Sequence, residues 1–267
     1  ESDIISKKLG VSGRFVQLEG EAFYQIGNFH EMPDFLISIV SDSDHWMFIS
    51  SNGSLTAGRK DRDNALFPYY TDDKIHDYKA KTGSHSYFLV NKEEKTFLWE
   101  PFSDDSLRFY NITRNIYKNI TGNKIIFEEI NTDLGLSFSY GWYNSERFGF
   151  VKKSSLSNVS GNPLEVVVLD GLRNILPSGL DSHFQNEYSN LADAYKKNEK
   201  VEDSTLGLFM LSAIPVDRAE PSEALFATTV WSTGLGHDAN ILVSERQIEH
   251  FLKGETIETE ENIRAAR

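Results

Sequence analysis

At 267 residues and 39% hydrophobic, the chain is long enough for one large domain, and all-β units of this size are common. A formal charge of −13 excludes a phosphate-neutralising nucleic-acid binder and argues against docking on an anionic membrane surface. The lack of cysteine excludes disulfides, thiolate metal sites and a cysteine nucleophile, and no apolar run approaches the ~20 residues of a transmembrane helix.

The chain opens on Glu1 with no visible signal peptide. This reads as a processed or excised piece, which leaves the compartment open, with the cytoplasm the simpler expectation. Four Asn-x-Ser/Thr sequons (Asn52, Asn111, Asn119, Asn158) are read as chance in an Asn-rich chain.

In chain order, "RFVQL" (14–18), "AFYQI" (22–26), "FLISIV" (35–40) and "WMFIS" (46–50) have strand length and β-favouring composition. Between the last two, "SDSDHW" (41–46) offers Asp42, Asp44 and His45. It lacks the Gly and Glu of a calcium loop, with Met47 and Gly53 in their places, and reads as a turn held by Asp and Ser side chains. Next, "SLTAGRKDRDNALFPYYTDDKI" (54–75) is dense in charge. Within it "FPYY" is expected to anchor the loop, with Phe67 buried, Pro68 fixing a turn, and Tyr69 and Tyr70 half-covered.

"YFLV" (87–90) and "TFLWE" (96–100) predict a hairpin, and "NKIIFEEI" with "LSFSYGWY" predicts a second over 123–143, turning at "NTDLG". In the latter strand Leu136, Phe138, Tyr140 and Trp142 alternate with small residues, so one face is buried. Further strands are expected at "FGFV" (148–151), "LEVVVL" (164–169), "LGLFMLSAI" (206–214) and "ALFATTVWS" (224–232). One segment breaks the period. Phe184, Tyr188, Leu191, Ala192 and Tyr195 make a helical stripe over 182–197, with Ser182 and Gln185 placed as a capping box and Lys196 and Lys197 at the helix end. The fold class is therefore mainly β, in two stacked antiparallel sheets with one or two short helices. The domain spans 1–250, and 251–267 begins a linker.

No Gly-x-Ser-x-Gly elbow and no phosphate-binding loop occurs; "STGLGHD" (232–238) lacks the required Lys and spacing. The seven histidines are scattered, so neither a metal nor another cofactor is expected. Sugars are recognised by planar polar side chains that bond vicinal hydroxyls and by aromatic faces that stack on the ring, and the 54–75 loop supplies both. The competing reading is mutual pairing of Lys60, Asp61, Arg62 and Asp63 on a wet surface. Glycosidic cleavage needs positioned carboxyl groups, and among 40 Asp and Glu no catalytic acid can be picked.

The segment "FLISIVSDSDHWMFISSNGSLTAGRKDRDNALFPYYTDDKI", followed by "LEVVVLDGLRNILPSGL" and the tail "ILVSERQIEHFLKGETIETEENIRAAR", resembles in pattern and order the N-terminal part of inverting glycoside phosphorylases of the cellobiose and chitobiose phosphorylase type. It departs from them at the 182–197 helix and at "PYYTDDKI". The resemblance implies a galactose-mutarotase-like super-sandwich that braces a C-terminal helical-barrel catalytic domain and borders its oligosaccharide site. It also implies a homodimer, a general acid outside this chain, and Arg59, Asp61, Asp63, Asn64 and Tyr70 as the groups reaching the sugar. Two alternatives remain. One is a self-sufficient aldose mutarotase or epimerase, with His183 and Glu187 as its proton-transfer couple; the pair reads equally as an exposed ion pair. The other is a structural or adhesive sandwich.

Overall fold

The computed structural model describes residues 10–187, 189–213, 226–236 and 238–265. The chain is mainly β, and every strand pair is antiparallel. The strands are β1 (Ser12–Leu18), β2 (Glu21–Gly27), β3 (Leu36–Ile39), β4 (His45–Ser50), β5 (Leu55–Arg59), β6 (Ala65–Phe67), β7 (Gly83–Lys92), β8 (Lys95–Trp99), β9 (Ile112–Asn119), β10 (Lys124–Asn131), β11 (Leu136–Ser145), β12 (Gly149–Asn158), β13 (Glu165–Arg173), β14 (Lys196–Lys200), β15 (Leu206–Leu211), β16 (Thr228–Trp231) and β17 (Asn262–Arg264). Four short helices accompany them: α1 (Asp104–Phe109), α2 (Ser182–Glu187), α3 (Ser189–Tyr195) and α4 (Ile248–Leu252).

Hydrogen bonding divides these strands among four sheets, ordered β1-β2-β9-β10-β11-β12, β13-β7-β8, β3-β4-β5-β6 and β16-β15-β14-β17. The two continuous sheets expected from the sequence are thus replaced by a set of small antiparallel sheets, a propeller-like division. The main core lies where the inner face of the six-stranded sheet (Ile116, Ile125, Phe127, Phe138, Trp142) meets Ile37, Met47, Ile49 and Phe67 of one smaller sheet and Phe88, Val90 and Trp99 of another. Alternation along β11 builds its share of this core: Leu136, Phe138, Tyr140 and Trp142 are buried, as their period of two requires.

Both predicted hairpins form. β10 and β11 turn through 131–135, where the Asn131 side-chain oxygen accepts the Leu134 amide at 3.0 Å and Gly135 takes φ 69°. β7 and β8 turn through Glu93 and Glu94, both left-handed, as a two-residue turn matched to strand twist demands.

The helix expected over 182–197 is seen among the described residues as α2 and α3, and it differs only at its last two residues: Lys196 and Lys197 are strand, Lys196 opening β14 and pairing with Asp193 at 2.8 Å rather than capping a helix. The expected capping box is also rearranged. Asp181 accepts the Phe184 amide at 2.7 Å, while Ser182 turns to Asp63 and Gln185 bonds the Leu180 carbonyl. Propensity was overridden by a sheet partner, since β14 pairs with β15 and β17 on either side. The side chains of Tyr188 and Leu191, residues 214 and 224–225 of the two expected late strands, and His237 lie outside the described residues.

The boundary expected at residue 250 falls within packed structure. Phe251 is buried with Tyr87 and Leu89, and β17 completes a sheet. Glu260, also buried, accepts the Val243 and Ser244 amides, each at 2.8 Å. Among the described residues no helix is long and apolar enough to cross a membrane.

Candidate functional site

A cleft of about 330 Å³ is lined by Asp44, Arg59, Lys60, Asp63, Asn64, Ala65 and Leu66 on one side and by Ser178, Gly179, Leu180 and Thr228 on the other. Its first wall is the β5–β6 connection. β5 meets β6 irregularly at Ala57 and Gly58, so the chain folds back over its own strand. Gly58 permits this approach: a Cβ there would stand 2.5 Å from the Trp46 ring and 2.6 Å from the Asn64 carbonyl oxygen. Lys60 follows in the left-handed region at φ 61°, and a 3-10 turn spans Arg62–Asn64. Asp61 starts that turn, its carboxylate accepting the Asp63 amide at 3.0 Å and the Asn64 side-chain amide at 2.8 Å.

The second wall is tethered to the first. The Leu176 amide bonds the Leu66 carbonyl at 2.9 Å, and Asp63 accepts both the amide and the hydroxyl of Ser182 at the start of α2, at 3.1 and 2.5 Å. The Ser182 hydroxyl and then its amide hold the Asp63 carboxyl below its ordinary range. Across the mouth, Asp44 receives Arg59 through Nε and Nη2, each at 2.9 Å. Both are partly solvent-exposed, with side-chain exposures of 57% for Arg59 and 35% for Asp44. His45, next to Asp44, is packed on Phe150 with ring centroids 4.9 Å apart. Burial first, and then Arg59, pushes its pKa down, so it is a neutral imidazole at pH 7. Beside the loop runs an aromatic row, Phe48–Trp46–Tyr69, with centroids 6.3 and 5.9 Å apart, and the Trp46 indole donates to the Asp61 carbonyl at 3.1 Å.

Of the five residues expected to reach a sugar, Arg59, Asp63 and Asn64 line the cleft. Asp61 instead holds the turn together from behind. Tyr70 is not brought to the cleft: it stacks on Tyr78 at 3.8 Å and meets the Thr82 hydroxyl at 3.4 Å. The expected "FPYY" anchor is seen, with Phe67 in the core and Tyr69 and Tyr70 half-buried. The competing picture of mutual pairing within the loop is not: among the described residues no ion pair joins Lys60 or Arg62 to Asp61 or Asp63. The 41–46 turn is held in part as expected, by Ser41 accepting the Ser43 amide at 3.1 Å.

Asp44 was read only as a turn residue. Its signal was the β4–β5 register, which pairs His45 with Arg59 and so sets Asp44 beside that guanidinium. The wall at 178–180 and Thr228 left no sequence signal, because more than a hundred residues separate them from the loop they face. His183 and Glu187 form an exposed i,i+4 pair at 3.4 Å outside the cleft lining. Among the described residues no group of three or more His, Asp or Glu side chains could hold a metal. No protein-family model matches the chain, and no curated protein matches it.

Proposed function

We propose that the chain is a carbohydrate-associated, non-catalytic domain of a glycoside phosphorylase- or hydrolase-type enzyme, and that the Arg59–Asn64 cleft borders the sugar site. The observation that carries this reading is the convergence of Arg59, Asp44, Asp63, Asn64 and Lys60 on one open cleft beside the Trp46–Tyr69 aromatic row. The cleft combines planar hydrogen-bonding groups and both charge signs, as hydroxyl recognition requires, and its volume lies in the range of small-molecule pockets.

The cleft's carboxylates are already engaged, Asp44 by Arg59 and Asp63 by Ser182, an arrangement that suits hydroxyl recognition. The exposure of His183 and Glu187, outside the cleft lining, weighs against an epimerase here. On this reading the six-stranded sheet and the two smaller ones that meet it across one core are the divided layers of a super-sandwich of the galactose-mutarotase-like kind. On this reading, catalysis comes from a helical-barrel domain of the same protein.

Calorimetric titration with cello-oligosaccharides tests the proposal. Saturable heat, lost in Arg59→Ala and kept in Tyr70→Ala, is expected. A titration without heat at saturating sugar, or one indifferent to Arg59, overturns it.

A further inference from the structure

β12 ends the order of the six-stranded sheet and β13 ends that of the three-stranded one, and no backbone ladder joins the two. A side chain bridges them instead. Lys152 stands opposite the buried Trp142 in the β11–β12 register, so it points to the core side of its sheet. Its amine crosses to β13, where it donates to Asp170 Oδ1 at 2.7 Å and to the Gly171 carbonyl at 3.0 Å. The neighbouring strand adds a third group. Ser86 of β7 pairs with Asp170 in register, and its hydroxyl donates to the same Oδ1 at 2.5 Å. Among the described residues, every hydrogen bond to this carboxylate falls on Oδ1.

The Lys152 side chain is only 8% exposed, and its amine lies 5.8 Å from the centre of the buried Tyr140 ring. Lysine, unlike arginine, gives up its proton when buried. Here burial pushes the Lys152 pKa below the ordinary lysine value, against the opposing pull of Asp170. Passing that proton to Asp170 turns a costly buried ion pair into a neutral amine facing a carboxylic acid. These are the two reactants of an amide. The carboxyl carbon lies one bond beyond Oδ1, which puts it close to the separation of roughly 3–3.5 Å at which held groups react.

We propose that Lys152 and Asp170 join in an intramolecular amide between Nζ and Cγ, a covalent clamp between the two sheets. The lone pair of the neutral amine forms the Nζ–Cγ bond, and the Cγ–Oδ2 bond breaks. Two of the three ammonium protons leave with Oδ2 as water, and the third stays on the amide nitrogen. No oxidant or other reactant enters. Oδ1 becomes the amide oxygen, and the Ser86 hydroxyl is already placed to stabilise the charge that builds on it during attack. The Gly171 carbonyl is likewise in place to accept the remaining N–H. The finished amide therefore finds both of its partners where the ion pair has them. The Asp170 side chain, 20% exposed, gives the released water a way out.

Intact-mass spectrometry of the purified folded chain, followed by peptide mapping, tests this. The native chain is expected to weigh less than its sequence by one water, and its digest to contain a branched peptide joining residues 152 and 170. Lys152→Arg keeps the charge pair but has no amine to give, so it is expected at full sequence mass without the branch. Mapping locates the loss, since water can leave a chain elsewhere. Full sequence mass in the native chain, a water loss that survives Lys152→Arg, or a water loss without the branched peptide overturns the proposal.

Discussion

Two arginine–carboxylate pairs in this molecule show how the same chemistry serves opposite ends. Arg114 and Glu129 are buried on the six-stranded sheet, their side chains 4% and 0% exposed, with Nε and Oε2 2.6 Å apart. Every strong contact is met: Glu129 also accepts the Trp99 indole and the Phe102 amide, each at 2.7 Å, and Arg114 donates to the Ser103 carbonyl at 2.5 Å. Arg59 and Asp44 share the geometry but stand at the mouth of an open cleft. A desolvated pair is fixed, because removing one partner strands a buried charge. A solvated pair holds little stability, about 0–1 kcal/mol, and can exchange one partner for a ligand hydroxyl.

The largest effect expected from that contrast is at the buried pair. Glu129→Ala should lower unfolding stability by about 3–5 kcal/mol, read from the denaturant midpoint. Arg59→Ala, by the same measurement, should change it hardly at all. Comparable losses at the two sites would erase the distinction.

Acid stability comes next. Burial, then Arg173 and Lys152, push the His85 pKa down from 6.5 to about 3. The folded state therefore resists protonation that the unfolded state accepts. Stability from this group is fully present above about pH 6.5 and is lost progressively as pH falls towards 3. The denaturation midpoint should fall over that window in the unaltered chain. His85→Leu should flatten the slope; His30 and His45, also depressed chiefly by burial, and the depressed carboxyls of Asp63, Asp104 and Asp133 at its acid end contribute to what remains. An unchanged slope would contradict the assignment.

A smaller effect is expected at the hinge between the cleft walls. Ser182→Ala removes a hydroxyl bonded to Asp63 and should lower the denaturation midpoint by less than Glu129→Ala does. It should also raise the Asp63 titration midpoint towards the ordinary carboxylate value, a change that a purely packing role for Ser182 would not produce.

Local period carried most of the secondary structure. The alternation at 136–142 and the turn residues at 131–135 were enough to draw that hairpin, because each strand's partner lies next to it in sequence. The division into four sheets was not legible, since β2–β9 and β13–β7 pairings join segments far apart along the chain. The same limit governs the site. Arg59, Asp63 and Asn64 share one loop and could be read together, whereas Ser178 and Thr228 reach the cleft only through tertiary packing. Tyr70 misled because its composition suits a sugar platform, yet Tyr78, eight residues on, takes up its ring. The helix expected over 182–197 holds to Tyr195 among the described residues and stops short only at Lys196 and Lys197, which a sheet takes as strand, a competition that local periodicity does not register.

The cleft's role is tested most directly through the tryptophan indoles, four in number, on addition of cello-oligosaccharide. The Trp46 indole N–H, bonded to the Asp61 carbonyl beside the cleft, should shift saturably in nitrogen–proton correlation spectra, while that of Trp99, sealed against Glu129, stays in place. If Trp46 stays unmoved at saturating sugar, or all four indoles shift alike, this surface is not where a saccharide binds.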